Sequence, residues 1–307
     1  MTRPVREAIG SAFPAAAIAS IERPSEGNRK ETAFVTLSDG RRVVVQVADD
    51  PGAIRTEARL AREIADRTTV PVPAVLADGP LGEGGYCVTE RIDGENLHAR
   101  FTALSDGRRR TIARRFGCAL GEIHDAFEFD RFGPVAATDE GIRATGPTAF
   151  GTWLDRHAGE AIEALPDELA DLEGAIREAV EPSRLGSPTP RLFPWDLRPG
   201  NAVVDGGEVA AFLDWGEPLS AGPGIALAKL DHLVADWYRE DGTGLRTAIR
   251  EGYREVRPVP DVGRCERVAA ILGAVVDSEG VITRPGYPER TGSEAIAFHR
   301  ERLVSAL

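Results

Sequence analysis

The sequence predicts an α+β chain in two parts, a small antiparallel-sheet part with one helix over residues 1–92 and a larger, mainly helical part over residues 93–307. Three observations predict it. β-rich runs separated by turn residues crowd the first third. Helical spacing of apolar residues takes over beyond residue 96. A composition of 42% hydrophobic and 28% charged residues suits a packed core and not a disordered chain.

The sheet elements come first. Residues 33–37 and 43–47 are β-rich and joined by Ser38-Asp39-Gly40-Arg41, whose Asp-Gly pair is a hairpin signal. A polar loop with one glycine, Ser25-Glu26-Gly27-Asn28-Arg29-Lys30, precedes them, so the order reads strand, loop, strand, turn, strand. A helix is predicted over Pro51–Arg67, with Leu60, Ala61 and Ile64 on one face and Glu57 on or beside it. Two further strands, residues 75–77 and 86–90, flank a glycine-rich turn, and Arg91-Ile92-Asp93-Gly94-Glu95 leaves the sheet as a connector.

The second part is read from helices. Ile112, Phe116, Leu120, Ile123 and Phe127 step by four, four, three and four along one long helix. Arg108, Arg109, Arg110, Arg114 and Arg115 crowd its first half, read as a solvated helix face with an anion patch as the alternative. A helical stretch over residues 148–180, a proline-rich loop over 182–190 and two short strands around Gly206-Gly207 follow. Helices are expected over residues 225–239, 244–256 and 265–277, with a last one from Ser293.

Charge and composition exclude several roles. A net charge of −12 argues against nonspecific nucleic-acid binding and against polybasic contact with anionic membranes. No apolar run approaches the roughly 20 residues of a membrane helix, and the first twenty residues read as an amphipathic segment. The three cysteines, Cys87, Cys118 and Cys265, have neither metal nor disulfide spacing and read as small buried hydrophobes of a reducing cytoplasm. Five scattered histidines offer no zinc-like pair. Of 37 cationic side chains only Lys30 and Lys229 are lysines.

Chemistry concentrates in Leu192-Phe193-Pro194-Trp195-Asp196-Leu197-Arg198-Pro199-Gly200-Asn201-Ala202-Val203-Val204-Asp205 and in Ala211-Phe212-Leu213-Asp214-Trp215. Asparagine occurs three times in the chain, so one standing five residues after an aspartate, with a strand-ending aspartate to follow, is informative. Phosphoryl transfer needs a carboxylate toward the acceptor hydroxyl and hard oxygen ligands that hold magnesium against the phosphates. An Asp-x4-Asn loop with a nearby strand-terminal aspartate supplies both.

These residues resemble the aminoglycoside phosphotransferase family, small-molecule kinases of a bilobal protein-kinase-like fold. The resemblance covers most of the chain, with weaker echoes in Val70-Pro71-Val72-Pro73, in residues 90–94 and in Ile123-His124. It implies a nucleotide-binding lobe over residues 1–92 and a catalytic and substrate lobe over 93–307. It implies Asp196 as catalytic base, Asn201 and Asp214 as Mg2+ ligands, Glu57 as the helix partner of a strand lysine, and the connector at Glu90 and Arg91 as the adenine contact. Gly27 would belong to the phosphate-side loop. ATP would be the donor and a small hydroxylated, amino-bearing molecule the acceptor, with Asp155, Glu160, Asp231 and Asp236 as loose acidic candidates for its pocket.

The chain departs from the family pattern twice. Pro194-Trp195 replace the usual His-Gly before Asp196, and Trp195 cannot supply a glycine's positive φ. The strand position that carries the phosphate-gripping cation is Gln46, which can donate hydrogen bonds but brings no charge. Lys30 is the substitute the sequence offers, against its reading as a solvated side chain. Two other functions stand beside the kinase: a catalytically impaired kinase-like protein that binds nucleotide or a partner and regulates by conformation, and an aminoglycoside resistance enzyme, which fold likeness alone does not license.

Overall fold

A computed structural model describes residues 3–24, 30–181, 187–238 and 241–307. They divide into two compact units. The first comprises Met1–Glu95, Val135–Arg143 and Val203–Pro218; the second comprises Asn96–Pro134, Ala144–Ala202 and Leu219–Leu307.

The first unit is built on β1 (Ile18–Glu22), β2 (Glu31–Leu37), β3 (Arg42–Ala48), β4 (Val75–Leu81) and β5 (Gly84–Glu90), an antiparallel sheet of order β1-β2-β3-β5-β4. Gly40 supplies the positive φ of the β2–β3 turn, and the Arg41 amide donates to Asp39 Oδ1 at 3.0 Å. Alternation sorts β3 as the sequence predicts: Val43 and Val45 are fully buried, while Val44 and Gln46 face the other way. The Val43 face packs against α1 (Arg3–Ala12), a second helix whose Val5, Ala8 and Ile9 join a core with Ala33, Val35 and Val88.

The opposite face takes α2 (Pro51–Arg67). Asp50 caps it by accepting from the Gly52 and Ala53 amides, and Pro51 opens the first turn. Ile54 and Ala58 of α2 pack on Cys87 of β5. The same unit holds the hairpin of residues 203–205 and Glu208–Phe212, turned by Gly206 and Gly207, both at positive φ. The Phe212 amide donates to the Pro71 carbonyl at 2.8 Å, which anchors the end of that hairpin two residues before Asp214.

The second unit is organised by α3 (Asp106–Ala126). Its predicted stripe, with Phe127 just beyond the helix, is at most 1% exposed at every position. The expected helix over residues 148–180 is interrupted: α4 (Phe150–Glu163) ends before Pro166, which has no amide hydrogen to continue the ladder. A 3-10 turn (Asp167–Leu172) and a short helix (Glu173–Ala179) finish the stretch. β6 (Arg191–Phe193) and β7 (Leu219–Ala221) pair antiparallel. α5 (Pro223–Leu230) passes into a wide π-turn (Asp231–Asp236), so the expected helix over 225–239 changes pitch partway. α6 (Thr243–Val256), α7 (Arg264–Leu272) and α8 (Ser293–Ala306) complete the unit, with α7 stopping at Gly273 instead of running to residue 277. Among the described residues no helix is long and apolar enough to cross a membrane. The arginine row of α3 is largely committed to neighbours: Arg109 is buried and donates to the Thr102 carbonyl, and Arg115 pairs with Glu122.

α3 and α6 meet backbone to backbone through glycine. A Cβ at Gly117 would run into the Ile249 carbonyl, and one at Gly252 would run into the Arg114 carbonyl. The expected cost of Gly252→Ala is about 3 kcal/mol, read from urea unfolding. A variant as stable as the wild type would contradict this contact.

Candidate active site

The first unit gathers charge at one point. Lys30 stands two residues before Thr32, and Thr32 lies opposite Gln46 in the β2–β3 register. Gln46 in turn lies opposite Cys87, so this sheet face is the one α2 covers. α2 turns Glu57 inward, with only 11% of its side chain exposed. The Lys30 ammonium donates to Glu57 Oε2 and, at 3.4 Å, to Asp214 Oδ1. Burial pushes the Lys30 pKa down, but Glu57 and Asp214 outweigh it and hold the ammonium above its ordinary value. The Trp215 amide gives Glu57 a further hydrogen bond. The helix glutamate thus has its lysine, supplied from the residue just ahead of β2 instead of from position 46 of β3.

Asp214 reaches this centre with φ of 57°, a left-handed conformation unusual for a residue with a side chain. Its side chain is 51% exposed, so oxygen remains available beyond the lysine contact. A Cβ at Gly216 would lie 3.3 Å from Asp214 Oδ1, 3.5 Å from Lys30 Nζ and 3.6 Å from Glu57 Oε2. The glycine backbone thus lies within one side-chain atom's contact of all three groups. Sequence reading passed over Gly216; its spacing two residues after Asp214 was the available signal. Cys87, on the same face, has its thiol pushed up to about 12 by burial and by the Glu57 charge, and it is inert packing. All three cysteines are free.

The connector is partly committed. The Glu90 amide donates to the Ala74 carbonyl at 2.9 Å and the Arg91 amide to the Arg42 carbonyl at 3.1 Å. The Arg91 guanidinium lies 4.2 Å from the Phe34 ring centroid and pairs with Glu22. Among the described residues no backbone carbonyl accepts from the Ile92 or the Asp93 amide. Gly27 lies outside the described residues.

The second unit carries the Asp196 loop. β6 delivers the chain into buried Pro194, and Pro199–Asn201 forms a 3-10 turn closed by the Asn201 amide on the Arg198 carbonyl. Asn201 Nδ2 donates to the Asp196 carbonyl at 3.0 Å and to Asp196 Oδ2 at 3.1 Å. Arg198 Nε donates to the same Oδ2 at 2.9 Å. Asp196 Oδ1 accepts no hydrogen bond among the described residues. One carboxylate oxygen is therefore fixed and the other is open. Asn96, another of the three asparagines, donates to the Gly200 carbonyl at 2.8 Å and ties down the far side of the turn. Arg198 was not singled out from the sequence, where it is one arginine among 35.

The other acidic candidates divide. Asp231 and Asp236 are neutralised by Arg250 and Arg246, so neither is a free anion for a cationic acceptor. Asp155 and Glu160 are exposed on α4. Trp215 is buried with its indole nitrogen on the Phe212 carbonyl, a packing role.

Removing the Lys30 charge leaves Glu57 with a desolvated carboxylate and no cation. Lys30→Met is expected to cost about 2 kcal/mol in urea unfolding, and adding Glu57→Gln to recover most of it. Equal losses in the single and double variants would show that the pair is not coupled.

Comparison with known proteins supplies the family. No curated protein sequence matches the chain. The signature of the phosphotransferase enzyme family matches residues 20–265. Among solved structures, aminoglycoside phosphotransferase APH(4)-Ia superposes with a TM-score of 0.73 at 16% identity, covering 100% of this chain and 98% of that one. A thermostable mutant of the same protein, solved as a ternary complex with AMP-PNP and hygromycin B, gives 0.69 at 15% identity over 98% and 97% of the two chains. A Haemophilus somnus protein named as a candidate fructosamine-3-kinase gives 0.63 at 12% identity over 100% and 98%. At these identities the superpositions establish a shared kinase-like fold. With the family signature spanning most of its length, the chain belongs to the phosphotransferase enzyme family.

Proposed function

We propose that the protein is an ATP-dependent small-molecule kinase that phosphorylates a hydroxyl group. The observation that carries this reading is the Asp196 carboxylate, with Oδ2 held by Arg198 and Asn201 and Oδ1 open. An acceptor hydroxyl donates to Oδ1, so its oxygen lone pair is aimed at the γ-phosphorus. As the new O–P bond forms and the bond to the β-phosphate oxygen breaks, the hydroxyl proton passes to Asp196 and ADP leaves.

Lys30 supplies the phosphate-side cation and Glu57 orients it, while Gln46 offers an uncharged amide donor on the same sheet face. The connector at Glu90, Arg91 and Ile92 meets adenine. Gly27 is assigned to the phosphate-side loop. Asn201 commits its amide nitrogen to Asp196, which leaves the amide oxygen as a hard ligand, and Asp214 adds a half-exposed carboxylate. Each is a hard oxygen donor of the kind Mg2+ takes, and each would serve as a ligand of the ion. Mg2+, when bound, would neutralise charge on the transferring phosphate.

ADP formation with magnesium and ATP, followed over a panel of amino alcohols, sugars, nucleosides and aminoglycosides, tests the reading. Turnover on at least one acceptor is expected, and Asp196→Asn is expected to lower it ~100-fold or more. Nucleotide binding without turnover on any acceptor would point instead to a binding protein, and no nucleotide binding would overturn the proposal.

A further inference from the structure

The second lysine is as unusual in its surroundings as the first. Lys229, on α5, is 3% exposed. Its Nζ lies 3.0 Å from the centroid of the Trp195 indole ring and donates to the Gly273 carbonyl at 2.9 Å. The Phe193 ring centroid is 6.0 Å away. An ammonium seated on an indole face in a buried setting is a strong cation–π contact. His157 meets the same indole edge-on at 5.6 Å and stacks on Trp153 at 4.8 Å. Burial, with the Lys229 charge second, lowers the His157 pKa to about 4, so His157 is a neutral wall of this nest at neutral pH. Trp195 is thereby held on its face by a cation and on its edge by a ring.

Trp195 is the residue immediately before Asp196, and it stands in the place of the family's usual glycine. Pro194 stiffens the backbone but grips nothing by side-chain polarity. Something must fix a loop whose working atom has to be correct to within about an ångström. Composition adds a second argument. This chain uses arginine for 35 of its 37 cations, yet keeps lysine here. An ammonium carries three donors in a compact head, whereas a guanidinium carries five in a plane. At the Gly273 carbonyl and the Trp195 face the compact ammonium makes both contacts at once.

We propose that Lys229 is a positioning residue for phosphoryl transfer: its ammonium, seated on the Trp195 indole, fixes the loop that presents Asp196. The inference rests on the reading of Asp196 as the residue that receives the acceptor's proton. A purely structural alternative is that Lys229 only binds the Gly273 carbonyl at the end of α7.

The experiment measures magnesium-dependent ATP turnover, with water or any acceptor from the panel, in Lys229→Met, Trp195→Phe, Trp195→Leu and Lys229→Met/Trp195→Leu. Lys229→Met is expected to lower kcat ~10- to 100-fold with the KM for ATP unchanged within ~2-fold. Trp195→Phe, which keeps an aromatic face, should retain most of kcat. Trp195→Leu should match Lys229→Met, and the double variant should be no worse than the poorer single. Tryptophan emission should change in Lys229→Met and stop changing once Trp195 is already Phe.

A folded Lys229→Met with wild-type kcat, or losses that multiply in the double variant, would overturn the inference and leave the carbonyl role. If Lys229→Met does not fold, the Trp195 pair decides alone, and equal kcat for Phe and Leu would overturn it. Turnover indifferent to Asp196→Asn would instead overturn the reading beneath it, and emission alone would then report the contact.

Discussion

A carboxylate taken out of water must be given a cation or be protonated, and Glu57 is given Lys30. Much of the first unit is arranged around that requirement. α2 must lie on the Gln46 face of the sheet for Glu57 to point inward, and Asp50 and Pro51 start the helix where this happens. Lys30, just ahead of β2, reaches Glu57 from the loop end. Asp214 accepts a left-handed backbone to join the pair, and Gly216 lies in contact range of all three charged groups. A single ion pair thus ties together a loop end, a helix and a hairpin end distant in sequence.

The same economy recurs in the second unit, where two of the chain's three asparagines serve one loop. Asn201 binds Asp196 from within and Asn96 braces Gly200 from outside. Arg198 shares Asp196 Oδ2 with Asn201, so the open oxygen is the product of two donors on its neighbour. The two lysines occupy corresponding parts in these two stories. Each is withdrawn from solvent, Lys30 between the carboxylates of Glu57 and Asp214 and Lys229 between the Trp195 face and the Gly273 carbonyl.

Legibility followed the range of the forces involved. The Pro51–Arg67 helix, the Asp39-Gly40 hairpin and the stripe of α3 rest on local spacing and capping, and the sequence displays them. Asp196, Asn201 and Asp214 were visible because their spacing and residue types are rare. Lys30 could be nominated only by elimination, since its pairing with Glu57 depends on strand register and helix rotation together. The break in the stretch over 148–180 was signalled by Pro166 but masked by helical composition on both sides. Asp231 and Asp236 looked like pocket acids because their arginine partners lie ten or more residues along the chain. Lys229 was visible only as one of two lysines, because tertiary packing alone lays it on Trp195.

The central claim is that the phosphate-side charge has moved from position 46 to position 30 while keeping its partner Glu57. Calorimetric titration of magnesium·ATP into wild type, Lys30→Gln and Lys30→Gln/Gln46→Lys tests it most directly. The account predicts ~10- to 100-fold weaker binding for Lys30→Gln. It also predicts substantial recovery in the double variant, because position 46 lies on the sheet face that Glu57 reaches. Unchanged affinity in Lys30→Gln would contradict it.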